Sequence, residues 1–346
     1  MRSANGDNAG DVVKLPLKLF AAAILFAALG GAAAFLALRT PDADRAALLA
    51  KYGGDAAKFA AGAGGLNVHW RDAGCPDCPA LILLHGSNAS LHTFEPLIPR
   101  LGGEYRIITL DLPGHGLTGP HPRDDYSANG MFEAVNAVAA AAGLDHFHLG
   151  GNSMGGWVAW RYALAYPERV DGLILIAAAG APLREGETSP PLNLGFRLMR
   201  VKPLRPFLVE ITPRSLVKKS LLETTAVDEI VTEEMVDRYW ELLRHPGNRR
   251  ATAIRNATDR EAAAFDRLSE FEKPALILWG AEDQLIYATA AKTFDERLSD
   301  ADVVILDGVG HIPMEEAPDA AANAIRRFLE RLAPEAVDAL KIEGTP

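Results

Sequence analysis

The chain has 346 residues, 49% of them hydrophobic and 23% charged, with a formal net charge of -10. That length supports one large domain carrying an insertion, and the composition excludes a disordered chain. The acidic surplus disfavours nucleic acid, whose phosphates select basic surfaces, and 2 cysteines are too few for a disulfide framework.

Residues 1–18 read as an N-terminal tail. From Leu19 to Leu38 the sequence LFAAAILFAALGGAAAFLAL carries no charge and shows no polar face. A helix of about 20 apolar residues spans the hydrocarbon core of a bilayer. A single transmembrane anchor over 19–38 is therefore expected, ahead of a cleaved signal. Ala32 to Ala34 offer small residues for cleavage, but the apolar run continues to Leu38. Lys14 and Lys18 precede it, and Arg39 behind it is soon offset by Asp42 and Asp44. This bias places the N-terminus inside and the remaining chain on the periplasmic or extracytoplasmic face.

Residues 39–65 read as a linker with Ala-rich helical pieces. The globular core is expected over 66–181 and 269–335, and a C-terminal tail over 336–346. LNVHWRD alternates as a strand does. Cys75-Pro76-Asp77-Cys78 forms a turn, open to either a local disulfide or two thiols. Apolar runs follow in PALILLHG, RIITLDLPG, HFHLGG, GLILIAAAG, PALILWG and DVVILDG, separated by helical stretches such as MFEAVNAVAAAA. Buried strands alternating with helices predict an α/β fold, its mostly parallel sheet covered on both faces. Between 182 and 268 the pattern loses its strands and reads as a helical cap. Between Phe196 and Lys219, Arg197, Arg200, Lys202, Arg205, Arg214, Lys218 and Lys219 face a single acid, Glu210, so an anionic lipid surface is weighed against a solvated amphipathic face.

GNSMG at 151–155 lies between a strand and a helix, the context that a G-x-S-x-G nucleophile needs. The turn lifts Ser153 clear of the backbone and sets the Met154 amide at a helix N-terminus, where a developing oxyanion is favoured. A serine hydroxyl needs a base. His311, in GVGHIPMEE after a strand, is the best placed of 9 histidines. His92 and His115 stay open, while His69, His121, His146, His148 and His245 are read as structural. Asp283, in GAEDQLI after another strand, supplies the carboxylate that fixes the imidazole, with Glu282 its competitor. HGSNAS at 85–90 supplies the second oxyanion donor, the Ser87 amide, with Asn88 the alternative.

RDAG, HGSNAS, DLPGHG, GNSMGG, GAEDQ and GHIPMEE together closely resemble the α/β-hydrolase family over about residues 66–335. The chain is similar to lipase-like members, including membrane-anchored monoacylglycerol-lipase-like ones, and to carbon–carbon bond hydrolases. The resemblance implies an acyl-enzyme mechanism on a small-molecule ester with an apolar acyl group, without metal or cofactor. Ser153 argues against the dehalogenases and epoxide hydrolases of this fold, which carry aspartate there. The carbon–carbon hydrolases often have tryptophan soon after the histidine, where this chain has Ile312-Pro313-Met314. A catalytically inactive binding member is the reading from another class.

Overall fold

The computed structural model describes residues 9–188, 201, 205–258 and 262–333. Its centre is an 8-stranded sheet. In chain order the strands are β1 (Lys58–Ala61), β2 (Asn67–Gly74), β3 (Ala80–Leu84), β4 (Arg106–Leu110), β5 (Phe147–Asn152), β6 (Val170–Ile176), β7 (Ala275–Gly280) and β8 (Ala301–Leu306). Their spatial order is β1-β2-β4-β3-β5-β6-β7-β8. The β1–β2 and β2–β4 pairs are antiparallel, and the other pairs are parallel.

The apolar runs are unbroken because the parallel strands are covered on both faces. Ile82, Leu84, Ile108, Leu110, Leu149, Leu173, Leu175 and Ile277 pack into one core layer. Their neighbours Leu81, Leu83, Ile107, Ile174, Ile176, Leu276 and Leu278 pack into the other. Helices α2 (Ala128–Ala142), α3 (Met154–Ala165) and α7 (Thr289–Asp295) contribute to the first layer, and α8 (Pro318–Leu332) to the second. Ser127 caps α2 at its start and Gly143, at φ 70°, ends it in the left-handed region.

The chain passes from β3 to β4 on one side, then returns to place β5 on the other side of β3. Loops leaving β3 and β5 therefore diverge at a switch point, where open α/β sheets bind ligands. The cap enters between β6 and β7, with α4 (Arg214–Leu222), α5 (Glu233–Leu243) and α6 (Asn248–Arg255). Arg214 pairs with Glu233 and Asp237, Lys218 with Glu233, and Lys219 with Glu223. These three cations are met by carboxylates inside the cap, which favours the solvated face over the lipid-facing one for their part of the run. Arg197, Arg200 and Lys202 lie outside the described residues, as do positions 1–8 and the tail 336–346.

The stretch 39–65 is not a bare linker. Lys58–Ala61 forms β1, with Phe59 opposite His69. Leu48 and Tyr52 are buried with Leu117 and Leu242. Backbone bonds of 2.8 Å join Thr40 N to Glu210 O and Ala43 N to Arg244 O, and Asp42 pairs with Arg249 at 2.6 Å. Cys75 and Cys78 form a disulfide across the turn between β2 and β3.

Ahead of this region, helix α1 runs over Ala9–Leu38. The anchor expected over 19–38 includes positions 21–22 and 27–28, whose side chains lie outside the described residues. Among the described residues no helix is long and apolar enough to cross a membrane.

Candidate active site

Ser153 sits between β5 and α3 at φ 53° and ψ -114°, a region costly for any residue with a side chain. The surroundings hold it there. Ser153 N donates to Ile176 O at 2.9 Å, and Ser153 O accepts from Ala179 N at 2.9 Å. The turn is tight enough to require glycine. A Cβ on Gly155 would lie 2.0 Å from Leu84 O. Met154 follows as the first residue of α3, so its amide stands at the helix N-terminus.

The loop leaving β3 lies against this elbow: a Cβ on Gly86 would sit 3.3 Å from Ser153 Cβ. His85 Nδ1 donates to Gly86 O at 2.7 Å, and its Nε2 accepts from Leu112 N at 3.0 Å. Two bonds thus fix the His85 tautomer, and burial holds the ring below its ordinary pKa. Asn88, at φ 60°, turns the loop through the left-handed region.

Asp283 and His311 arrive from the far strands. The loops after β7 and β8 touch so closely that a Cβ on Gly280 would lie 2.1 Å from Gly310 O. His311 Nδ1 donates to Asp283 Oδ2 at 2.7 Å. The other carboxylate oxygen accepts from Leu285 N at 2.8 Å and Ile286 N at 2.9 Å. The carboxylate is thereby fixed and the ring is held with Nε2 as the acceptor nitrogen. Glu282, the competing acid, is exposed, whereas Asp283 is buried.

Asn152 bridges the halves, donating from Nδ2 to His311 O at 3.0 Å. No hydrogen bond joins the Ser153 hydroxyl to the His311 ring among the described residues. Such contacts are often long without substrate and tighten when it binds.

A second histidine–carboxylate pair competes on geometry alone. His69 Nδ1 and Asp111 Oδ2 are 2.7 Å apart. Burial pushes the Asp111 carboxyl up, but the His69 ring outweighs it and holds the carboxyl below its usual range. Accessibility decides between the pairs: the side chains of His69 and Asp111 are 0% exposed, out of reach of any substrate. Asp111 instead accepts from Leu91 N and Leu117 N and staples two loops. His92 is likewise enclosed, against Tyr52, Ser90 and Arg71. His121, His146, His148 and His245 bond away from Ser153 or stand apart from it.

The family model for the alpha/beta hydrolase fold matches residues 79–318, more than half of the chain. The chain belongs to the α/β-hydrolase fold family. This hydrolase is 26% identical to Lipase 3 of Moraxella sp. (strain TA144) over 266 residues, 73% of this chain and 78% of that one. It is 29% identical to 2-hydroxy-6-oxononadienedioate/2-hydroxy-6-oxononatrienedioate hydrolase of Burkholderia vietnamiensis over 282 residues, 77% and 92% of the two chains. Among solved structures, a membrane phospholipase A described as a bacterial virulence factor is similar with a TM-score of 0.68 and 25% identity, over 92% of this chain and 99% of that one.

Three residues of the hydrolase site carry no local sequence signal of their role. Asn152 is one. Glu316 is another: its carboxylate accepts from Gly310 N at 2.9 Å, Ile312 N at 3.1 Å and Ala226 N at 2.8 Å, gripping both neighbours of His311 and the cap. Arg255 is the third; it reaches Ser87 from the cap. Among the described residues no cluster of His, Cys, Asp and Glu is placed to hold a metal.

Proposed function

We propose that this hydrolase is a serine-dependent carboxylic-ester hydrolase, esterase- or lipase-like, acting through an acyl-enzyme on substrates with an apolar acyl group. The observation that carries the reading is the 2.7 Å bond between His311 and Asp283, which leaves His311 Nε2 as a base. Ser153 attacks the ester carbonyl while its proton passes to His311 Nε2. The oxyanion is held by the Met154 and Ser87 amides. His311 then returns the proton to the departing alcohol oxygen, leaving the acyl group on Ser153. Water attacks that acyl group, giving its proton to His311, and the acid leaves as Ser153 recovers its hydrogen.

The similarity to Lipase 3 and to the phospholipase A structure supports the ester reading. The similarity to the Burkholderia hydrolase keeps carbon–carbon bond cleavage as the competitor. A fluorophosphonate probe is expected to label the wild-type chain and not Ser153→Ala; equal labelling of both sinks the assignment, and an unlabelled wild type leaves a binding protein. A panel of p-nitrophenyl esters, monoacylglycerols and vinylogous 1,5-diketones then separates ester from carbon–carbon cleavage.

Membrane attachment through 19–38, with the catalytic domain on the periplasmic or extracytoplasmic side, belongs to the same proposal. Its support is the uncharged run itself and the Cys75–Cys78 disulfide, which suits an oxidising compartment. Protease added to intact spheroplasts is expected to digest the catalytic domain; full protection refutes the orientation.

A further inference from the structure

We propose that Arg255 is a positioning residue of the oxyanion hole, supplied by the cap: it orients the Ser87 loop and adds positive charge beside the oxygen that turns negative. The inference rests on the assignment of Ser153, Ser87 and Met154 above.

Arg255 is the last residue of α6 and is only 4% exposed. One terminal nitrogen, Nη1, donates to Ser87 Oγ at 3.1 Å and touches Met154 Sδ. It thus meets both residues whose amides are assigned to the oxyanion. The same nitrogen lies 3.0 Å from His115 Nε2. His115 Nδ1 donates to Pro113 O at 3.1 Å, so Nε2 is free to accept from the guanidinium. Burial and then the Arg255 charge hold the His115 ring well below its ordinary pKa, keeping it the neutral acceptor this arrangement requires.

The helix is fixed at the same place one turn earlier. Thr252 Oγ1 donates to Asn88 Oδ1 at 3.2 Å, and Ala251 packs so tightly on the loop after β4 that a Cβ on Gly114 would lie 2.8 Å from it. Helix α6 therefore spans the loops after β3 and β4 and delivers a charge that cannot ionise away, since guanidinium stays protonated. A charge in a water-poor site acts on a nearby oxyanion far more strongly than it would in water. A neutral ester carbonyl gains little from it, so the effect falls on the transition state rather than on substrate binding.

The test uses the full chain in detergent, with p-nitrophenyl butyrate as substrate. Phenylboronic acid probes the anionic state: boron accepts the Ser153 oxygen lone pair, the serine proton passes to His311, and a negatively charged tetrahedral adduct forms. The 4-nitrophenyl butyl ether probes the neutral ground state. Removing a direct oxyanion donor costs about 100- to 1,000-fold in kcat; Arg255, acting through its neighbours, is expected to cost about 10- to 30-fold.

In Arg255→Gln, kcat is expected to fall by that factor at nearly constant KM. Boronate inhibition should weaken in parallel, while ether inhibition stays within twofold. Arg255→Lys should recover part of the loss, and it carries the comparison if the Gln variant fails to fold, with boronate inhibition weakened at least threefold. Boronate inhibition within twofold of wild type, or boronate and ether weakened alike, overturns the inference while an inactive Ser153→Ala leaves the nucleophile standing. Full activity in Ser153→Ala removes the nucleophile and this inference with it.

Discussion

Replacing Asp283 by asparagine tests the His311 assignment with almost no change in shape. The wild-type carboxylate uses Oδ1 for the amides of Leu285 and Ile286 and Oδ2 for His311 Nδ1. Asparagine has only one oxygen, and the two amides compete for it against one ring nitrogen. Satisfying both amides turns the new NH2 group toward His311. The ring then accepts at Nδ1 and carries its proton on Nε2, where it cannot take the proton of Ser153. Loss of the correct tautomer is expected to lower kcat by about 1,000- to 10,000-fold, or about 4–5.5 kcal/mol of transition-state stabilisation. Because both amides keep an acceptor, folding stability should change by no more than about 1 kcal/mol. Asp283→Ala makes the contrast: it strands two amides, costing about 1–3 kcal/mol for each one left without water, yet leaves the ring free to adopt either tautomer. Single-turnover hydrolysis and thermal melts of both variants give the comparison. Activity of Asp283→Asn within tenfold of wild type would refute the reasoning.

Three further outcomes follow from neighbouring features. Gly155→Ala drives a methyl to 2.0 Å from Leu84 O; overpacking against backbone should cost about 3 kcal/mol or more, and a melt within two degrees of wild type contradicts it. Glu316→Gln puts an NH2 group against amides that now meet a carboxylate, so a loss of about 1–3 kcal/mol in stability and a fall in kcat are expected, read by urea unfolding and steady-state rates. Burial pushes His92 from 6.5 down to about 4, so the unfolded chain binds more protons than the folded one in that interval. Its contribution is intact above pH 6.5 and is lost as pH falls toward 4, by up to about 3 kcal/mol. Urea unfolding at pH 7 and pH 4.5 should show the loss, and His92→Gln should flatten it.

The parts legible in the sequence are those fixed by local sterics. A serine with a glycine two positions to either side at a strand–helix junction announces the elbow, because a Cβ at Gly151 or Gly155 would run into backbone. Asp283 and His311 follow from their places after apolar strands. Features built by distant segments leave no such trace. Glu316 becomes a clamp only when Ala226 returns from the cap, and Arg255 reads as one more cation in a polar helix. Strand β1 escapes for a different reason: KFAA is a 4-residue edge segment with a single buried side chain, too short to show a period. Asp111 was hidden by its motif, since DLPGHG reads as a turn until His69 closes on it.

The way residues 39–53 fasten to the cap bears on how a shortened protein should be made. Cutting at Leu66, just ahead of β2, would strip Asp42 from Arg249, Thr40 from Glu210, and Lys51 and Tyr52 from Glu241. The cap would lose its strap, and α6 would lose the brace behind it. A cut just before Arg39 removes the N-terminal helix and keeps every one of those ties, so the shorter deletion, not the longer one, is the form expected to retain an ordered pocket.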